Sequence, residues 1–387
     1  MGNADVLIVG GGLAGLTAAI HLSRAGYQVF LLEKDSYPQH KVCGEYVSNE
    51  IVAYLQWLDA DPQVLAPARI THLHFAAASG KSITTTLPLG GFGISRFSFD
   101  DFLYKKAILH GVTVIQEQVV DIHHEATGSL VRTFGGREFR AKVILGAYGK
   151  RAALDINLSR NFIKKKSEWL AVKCHYHGPH DERLVGLYSF DGGYCGVSKV
   201  EDGIVNVCYL VRYSSFKKFK NIDEHRLQVL CRNPVLKQVF AQLTPIYEKP
   251  LTIGQISFDK KNALEDGVIM IGDTAGLIHP LCGNGMAMAI TSAGIAASLV
   301  SNYLNGKMSR AELENQYQQE WNAHFSKRTN TGKMLNRLLQ YKKLTNVCMS
   351  LVATFPVLLR WLIRQTHGQS FNILDYNAEI KIPERAS

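Results

Sequence analysis

A glycine-rich turn near the start of the chain constrains the fold more than any other feature. The segment Gly10-Gly11-Gly12-Leu13-Ala14-Gly15 follows the short apolar run Asp5-Val6-Leu7-Ile8-Val9 and precedes a predicted helix. This order is typical of the first βαβ unit of a dinucleotide-binding domain. Gly10 permits the tight turn, Gly12 lets a pyrophosphate approach the backbone, and Gly15 lets the helix pack close to the strand. The segment predicts a Rossmann-like α/β domain.

An acidic residue ends the second predicted strand. The apolar run Tyr27-Gln28-Val29-Phe30-Leu31-Leu32 leads directly to Glu33. A carboxylate at this place in a βαβ unit accepts hydrogen bonds from ribose hydroxyls. The strand, turn, helix, second strand and acid occur in register, which distinguishes this segment from an isolated glycine turn. We expect it to bind the adenosine half of a dinucleotide.

A second glycine motif lies late in the chain. The segment Gly272-Asp273-Thr274-Ala275-Gly276 follows a predicted strand, and the turn Gly283-Asn284-Gly285 then opens a long helix of small residues. Asp273 is placed to accept hydrogen bonds from ribityl or ribose hydroxyls. The helix N–H groups are placed to face a flavin, where the positive dipole stabilises the negative charge of the reduced ring. The two motifs describe the two ends of one FAD.

Length and composition favour two interleaved domains with a C-terminal extension. The 387 residues exceed one ordinary core, and 46% of them are apolar and 20% charged. The fold class expected is α/β, in which a Rossmann-like FAD-binding domain is interleaved with a β-sheet substrate domain and followed by helices. The expected segments are 1–75, 95–155 and 252–305 for the FAD domain, 76–94 and 156–251 for the substrate sheet, and 306–387 for the helical region.

Cysteine and histidine usage indicates neither a disulfide framework nor a metal site. The seven cysteines include no CxxC pair, which is typical of a reducing cytosol. His175, His177 and His180 are close together, but Gly178-Pro179 between them indicates a strand that runs into a turn. The first strand begins almost at once, with no secretory signal before it. We expect a cytoplasmic protein without a metal ion.

The net charge of +10 is concentrated unevenly, with many Lys and Arg residues in the C-terminal region. Such charges are either a solvated face or an attraction to anionic lipid or an acidic carrier protein. Nucleic acid is not expected, since no binding motif accompanies the charge. The apolar segment Val347 to Ile363 is short for a membrane span and contains Pro356 and Arg360. It is either a helical cover or an interfacial surface at the inner face of a membrane.

The motifs together resemble the para-hydroxybenzoate-hydroxylase-type flavoproteins, which include group A monooxygenases, flavin halogenases and geranylgeranyl reductases. Arg96 with Phe99-Asp100 and Leu103 adds to the two glycine motifs in this resemblance. Lys41-Val42-Cys43-Gly44-Glu45 is most similar to the Cys-Gly-Glu or Cys-Gly-Gly segment of geranylgeranyl reductases. The resemblance implies that Arg96 lies near the FAD phosphates and Cys43 near the isoalloxazine. The other expected cofactor contacts are Leu13, Ala14, Lys34, Gly44, Val119, Gly149, Gly272, Pro280 and Met286.

Two departures limit what the resemblance implies. Tyr148 stands where many members have the acid of an Asp-Gly pair that helps handle NAD(P)H, so NAD(P)H is only a candidate electron donor. Gly193-Tyr194-Cys195-Gly196 is similar to the aromatic motif that reductases place over the substrate, but the Trp and Phe-Pro of that motif are missing. A halogenase is expected less, because its Trp-x-Trp-x-Ile-Pro segment is absent from the sequence.

The chemistry expected is reduction of a carbon–carbon double bond. A reduced flavin passes hydride from N5 to one carbon, and the other carbon then needs a proton from an acid. Cys43 is either that acid or a small residue that fits under the ring, and Cys282 and Tyr194 are further catalytic candidates. The substrate class expected is bulky and apolar: isoprenoid, lipid or polyketide-like.

Two alternatives stay open. In an NAD(P)H-dependent FAD monooxygenase, oxygen adds to the reduced flavin and hydroxylates an aromatic or polyketide-like substrate in a dry pocket. The other alternative is a non-catalytic prenyl-binding protein of the GDP-dissociation-inhibitor type. The intact Glu33, Asp273 and Gly283-Asn284-Gly285 argue against it.

Overall fold

The computed structural model describes residues 2–125, 128–165, 167–338, 341–366 and 368–376. The strands in chain order are β1 (Gly2–Val9), β2 (Val29–Glu33), β3 (Tyr46–Ser48), β4 (Ala68–Ala76), β5 (Ser82–Gly93), β6 (Thr113–Gln116), β7 (Val119–Glu125), β8 (Gly128–Thr133), β9 (Glu138–Gly146), β10 (Trp169–His177), β11 (Leu184–Phe190), β12 (Gly193–Lys199), β13 (Val205–Arg212), β14 (Thr244–Pro245), β15 (Leu251–Gly254), β16 (Leu264–Glu265) and β17 (Val268–Met270). The helices are α1 (Leu13–Arg24), α2 (Val52–Trp57), α3 (Arg96–Leu109), α4 (Leu154–Asn157), α5 (Tyr213–Phe216), α6 (Ile222–Gln228), α7 (Pro234–Ala241), α8 (Gly285–Leu304), α9 (Arg310–Leu338), α10 (Lys342–Thr354) and α11 (Pro356–Thr366).

The first sheet is the predicted dinucleotide-binding sheet. Its order is β16-β17-β9-β1-β2-β6, and β17, β9, β1, β2 and β6 run parallel. The central strand β1 is buried from Val6 to Val9, as a parallel strand covered on both faces must be. Helices α1 and α8 pack against each other, and small residues of α8 such as Ala293 and Ala297 are buried. This arrangement confirms the predicted α/β class and brings both glycine motifs to one edge of the sheet.

The second sheet has the order β14-β10-β13-β12-β11-β4-β5-β3, with β15 paired to β10. Its pairs are antiparallel except β11 with β4. Strands β3, β4 and β15 belong to this sheet, so the expected segments 1–75 and 252–305 of the FAD domain include strands that lie outside it. The reason is physical: an alternating apolar run predicts a strand but does not show with which sheet it pairs.

Helix α3 begins earlier than the sequence predicts. The segment Ser98-Phe99-Asp100-Asp101, a serine followed three residues later by an acid, predicts Ser98 as the N-cap. In the structure the side chain of Ser95 accepts a hydrogen bond from the Ser98 backbone N–H, so Ser95 is the N-cap instead. Arg96 therefore occupies the first helical position, and its Nη2 lies near the Gly12 turn.

The C-terminal helices pack on both domains. Helix α9 packs on α8, and α11 packs on α9 and β5. Pro356 begins α11, since proline is tolerated in the first turn of a helix but cannot continue α10. The carboxylate of Glu50 is 2.9 Å from the Arg328 guanidinium and accepts a hydrogen bond from the Gly368 N–H, which ties this region to the start of the chain.

Among the described residues, α8 is long and apolar enough to cross a membrane, but 72% of its apolar window is buried within the protein. It is the core helix of the first domain by its packing against α1. Part of α10 (Asn346–Thr354) and α11 pass the same test together, although they are bent by 106° at their junction.

Candidate active site

One cavity of about 1050 Å³ connects both glycine motifs with the second sheet and the C-terminal helices. Most of the predicted site residues line it. They are Gly10, Gly12, Leu13, Ala14, Glu33, Lys34, Cys43, Gly44, Arg96, Gly149, Tyr194, Gly272, Asp273, Cys282, Gly283, Asn284, Gly285 and Met286.

Gly15 and Val119 are not part of the cavity wall, and for Pro280 only the backbone is described. Gly15 lies within α1, where a Cβ would be 1.9 Å from the carbonyl oxygen of Gly10, so the helix does approach the turn closely. Val119 is buried at the start of β7 and is not part of the cavity wall. Pro280 begins a short 3₁₀ turn that ends at Cys282.

The turn after β1 leaves an open cradle in front of Gly12. A Cβ placed on Gly12 would meet only Arg96 Nη2, at 3.7 Å. Gly10 has a φ of +104°, which a residue with a side chain rarely adopts. The Glu33 carboxylate accepts hydrogen bonds from the backbone N–H groups of Gly11 (2.7 Å) and Asp35 (3.1 Å). This end of the cavity fits the pyrophosphate and ribose of a dinucleotide.

Arg96 brings a fixed positive charge to the same place. Its guanidinium donates two hydrogen bonds to the Asp100 carboxylate, at 2.6 and 2.7 Å. Burial lowers the pKa of Arg96, but the Asp100 carboxylate raises it by more, so the net shift is upward. Cys43 and Asp273 also raise this pKa. The guanidinium thus stays charged and is oriented by a bidentate pair, as a phosphate-binding arginine requires.

The second glycine motif forms the other end of the cavity. The buried Lys261 ammonium donates hydrogen bonds to the carbonyl oxygens of Asp273 and Lys150, both at 2.7 Å. Burial lowers the pKa of Lys261 to about 8. Gly283 has a φ of +64° and Gly285 is the first residue of α8, so the helix N–H groups open toward the cavity wall. These features fit the ribityl chain and the flavin ring, and together with the Gly12 cradle they fit FAD.

The three predicted catalytic residues differ in their surroundings. Cys43 is half-buried on the cavity wall. Cys282 is buried, which raises the pKa of its thiol to about 12, and burial raises the pKa of Tyr194 well above its ordinary value. A proton donor with a raised pKa holds its proton more strongly, which applies to Cys282 and Tyr194. Of the three, Cys43 is the one that is only half-buried.

A buried ion cluster beside Cys43 is a feature that the sequence did not predict. The carboxylate of Glu45 pairs with the Lys173 ammonium, accepts the Arg96 backbone N–H at 2.8 Å, and lies 2.6 Å from His175 Nε2. Burial raises the pKa of Glu45, but His175 and Lys173 together lower it by more, so the net shift is downward. The sequence offered one signal for this cluster: Lys173 and His175 are polar residues at alternate positions of an apolar strand.

The cluster continues toward the surface through further polar groups. His175 Nδ1 is 2.9 Å from the Tyr247 hydroxyl, which is 3.0 Å from Nε2 of the exposed His40. His175 therefore belongs to a carboxylate network, while His177 is exposed. Within the described ranges, no group of His, Cys, Asp and Glu side chains has the arrangement of a metal site.

His279 packs in an aromatic cage behind the flavin turn. Its ring centroid is 4.7 Å from that of Phe258 and 5.7 Å from that of Tyr194, and its Nδ1 accepts the Leu281 N–H at 3.3 Å. Burial lowers the pKa of His279 to about 3. The imidazole is therefore neutral and supports the backbone of the turn.

We expect His279 to make the protein acid-labile. Its pKa in the folded state lies below the ordinary 6.5, so the unfolded state binds a proton first as the pH falls, and stability is lost between these two pKa values. Replacing His279 by Gln should flatten the dependence of the unfolding free energy on pH by about 1.4 kcal/mol per pH unit between about pH 6 and 4. Urea unfolding across this range measures the slope. Phe258→Leu is the control, since it disturbs the same cage without removing a titrating group and should leave the slope unchanged.

Comparison with known proteins agrees with this geometry. The FAD binding domain family matches residues 3–330. Digeranylgeranylglycerophospholipid reductase 2 of Methanopyrus kandleri is 24% identical over 348 residues, which cover 84% of this chain and 83% of that protein. The flavin-dependent brominase Bmp2 superposes with a TM-score of 0.78 at 18% identity, covering 97% of both chains. A geranylgeranyl bacteriochlorophyll reductase-like protein from Thermoplasma acidophilum superposes with a TM-score of 0.74 at 20% identity, covering 98% of this chain and 97% of that one.

The match to the family extends over most of the chain and includes both glycine motifs. It favours an enzyme over the non-catalytic prenyl-binding alternative. The chain belongs to the FAD binding domain family of para-hydroxybenzoate-hydroxylase-type proteins and is a FAD-dependent oxidoreductase.

Proposed function

We propose that the protein reduces a carbon–carbon double bond in a bulky apolar substrate of the isoprenoid or lipid class. The observation that carries this proposal is a half-buried thiol, Cys43, on the wall of a large cavity whose other candidate acids are buried and hold their protons strongly. The relative from Methanopyrus kandleri is a digeranylgeranylglycerophospholipid reductase, which supports the same substrate class.

The substrate end of the cavity is lined by apolar side chains from the second sheet. They come from five strands, β4, β5, β11, β13 and β15, and they are Leu73, Phe75, Leu87, Val185, Leu187, Leu210 and Ile253. A surface of this kind binds a hydrocarbon chain and excludes water from the reacting carbons. It offers few hydrogen-bonding groups, so the position of the chain is set by shape.

Different residues of the chain would bind the cofactor and donate the proton. Gly12, Arg96 and Glu33 would hold the pyrophosphate and ribose, and Asp273 with the N-terminus of α8 would hold the flavin end. When bound, FAD supplies the electron pair for the reduction. Cys43 would donate the proton that completes the saturated product. NAD(P)H is proposed as the electron donor, although Tyr148 occupies the place of the acid that handles it in many relatives.

Product analysis under anaerobic conditions tests this function without assuming a donor. The FAD-loaded protein would be reduced with dithionite and mixed with a digeranylgeranyl phospholipid in detergent. A product that gains two hydrogen atoms per double bond, with reoxidation of the flavin, supports the proposal. A product that forms only in air and gains one oxygen atom would show a monooxygenase instead.

Replacing Cys43 by Ser is expected to slow reoxidation of the reduced flavin by substrate about 100-fold, because general acids contribute on this scale and a hydroxyl is a far weaker acid. The amount of FAD retained after gel filtration should not change. Stopped-flow absorbance of the flavin measures both. Cys348→Ser is the matched control, since Cys348 also lines the cavity but lies on α10, away from both glycine motifs. An unchanged rate in Cys43→Ser would remove this thiol from the mechanism.

A further inference from the structure

Helices α10 and α11 form an elbow that is apolar on two sides. One side is buried: Met349, Ala353, Leu359 and Ile363 pack in the core of the second sheet. The other side carries large apolar residues that are between 42% and 72% exposed. They are Leu344, Val347, Leu351, Phe355, Val357, Leu358 and Trp361. Scattered exposed apolar residues are ordinary, but a contiguous set on two joined helices indicates an interaction surface.

The elbow also forms the outer part of the cavity wall. Leu351, Leu358 and Trp361 belong both to the exposed set and to the cavity lining. The elbow therefore joins the cavity lining to the exposed apolar surface, through side chains that belong to both. A water-insoluble substrate needs such a route, since crossing polar solvent would expose its chain.

The charged residues of the sequence that contains the elbow have one sign. No Asp or Glu occurs between Glu320 and Asp375, and this stretch contains eight Lys and Arg residues. Among those whose side chains the structure describes, Lys327, Arg337, Arg360 and Arg364 are exposed. Exposed cations beside an apolar face are complementary to a surface that is both apolar and anionic.

Each helix of the elbow is too short to cross a bilayer alone, and the two suit an interfacial position. Helix α10 has 13 residues and α11 has 11, whereas a transmembrane helix needs about 20. The bend of 106° between them means that they do not form one straight helix across a bilayer. Two short apolar helices can instead lie in the interface, with their apolar side chains at the boundary of the acyl chains.

We propose that the α10–α11 elbow docks the protein on an anionic lipid bilayer and that the substrate enters the cavity directly from that bilayer. The entry step rests on the proposed function, because it requires a lipid-like substrate. The docking step does not, because it depends only on the exposed surface and its charge.

The docking test is co-sedimentation of the FAD-loaded full chain with lipid vesicles. We expect partition onto vesicles of equal parts phosphatidylglycerol and phosphatidylcholine to exceed partition onto phosphatidylcholine alone by at least about tenfold. The variant Val347→Ser/Phe355→Ser/Val357→Ser should lose at least about tenfold of the anionic-vesicle partition. None of these three residues lines the cavity, so flavin content and reduction of a detergent-dispersed substrate should stay as in the native protein.

The control variant is Leu109→Ser/Phe134→Ser/Ile156→Ser. These three side chains are 62% to 82% exposed but lie outside the elbow, and their replacement should leave vesicle partition unchanged. Equal losses in both variants, or no partition of the native chain, would overturn the docking proposal. Capture of an acidic carrier protein by the elbow without any vesicle binding would overturn it as well, as would self-association that the elbow variant abolishes.

Different results would overturn the proposed function and the docking proposal. Vesicle partition is measured without turnover, so a failed product analysis leaves the docking result intact. If docking is found and substrate in detergent is reduced, reduction of substrate embedded in vesicles should be slowed at least about tenfold by the elbow variant alone. An equal rate for both proteins on vesicle substrate would overturn direct entry.

Discussion

Replacing Gly12 by Val is expected to weaken FAD binding at least about 100-fold, equivalent to about 3 kcal/mol, while the chain still folds. The extended backbone at Gly12, with φ of −82° and ψ of −173°, is one that valine adopts. Its Cβ would meet no protein atom closer than Arg96 Nη2 at 3.7 Å. The space that the side chain fills is the space that the pyrophosphate needs, so the cost falls on the cofactor. Flavin fluorescence titration of the cofactor-free protein measures the affinity.

Stability should change little in the same variant. Loss of a glycine N-cap to valine costs about 1 kcal/mol, which urea unfolding without FAD would show. Gly254→Val is the matched control, since Gly254 also lines the cavity and a Cβ there meets nothing within 4 Å. It lies on β15 in the second sheet, and its replacement should alter FAD affinity by no more than about twofold. If Gly12→Val binds FAD as tightly as the native chain does, the pyrophosphate does not cross the Gly12 turn.

The cofactor end of the site could be predicted because its signals are local. The turn from Gly10 to Gly15 joins β1 to α1, Glu33 is the last residue of β2, and the turn from Gly283 to Gly285 leads into α8, so each signal is confined to a short stretch of sequence. Local geometry of this kind requires particular residues at particular spacings, so the residues reveal the backbone. The fold class and the FAD family followed from these motifs and are confirmed.

The ion cluster could not be predicted because its members are distant in sequence. Glu45 lies on the loop before β3, whereas Lys173 and His175 lie on β10, and only the tertiary fold brings them together. The same limit applies to β3, β4 and β15. Their apolar patterns predict strands, but pairing partners are chosen by contacts between remote segments.

The N-cap of α3 also could not be predicted from the sequence, for a third reason. Both Ser95 and Ser98 satisfy the residue preference for an N-cap, and the choice between them depends on surrounding contacts. The Ser95 backbone N–H donates a hydrogen bond to Glu201 at 2.8 Å, which holds Ser95 at the helix start. The position of Arg96 at the first helical residue, and hence at the phosphate cradle, follows from that distant contact.

Replacing Lys173 by Met is expected to lower the free energy of unfolding by about 3–5 kcal/mol. The side chains of Lys173 and Glu45 are both fully buried, so removal of the ammonium leaves a carboxylate in the interior with His175 but without its lysine partner. Methionine retains most of the aliphatic stem, which keeps the loss of packing small. Urea unfolding at neutral pH measures the change. The double variant Lys173→Met/Glu45→Gln should recover most of the loss, because the glutamine amide carries no charge.

The pH dependence of the same variants separates a charge effect from a packing effect. In the native chain the pKa of Glu45 is lowered from its ordinary 4.5, so its contribution to stability is present above about pH 4.5 and is lost as the pH falls below it. Without Lys173, the effect of burial on the Glu45 carboxylate is less well offset, and the pKa of Glu45 rises. The variant should therefore regain stability as the pH is lowered through this raised pKa. The difference between Lys173→Met and the native chain should therefore shrink on acidification. A difference that is constant with pH would show lost packing instead, and would leave the Glu45 charge without a structural role in the fold.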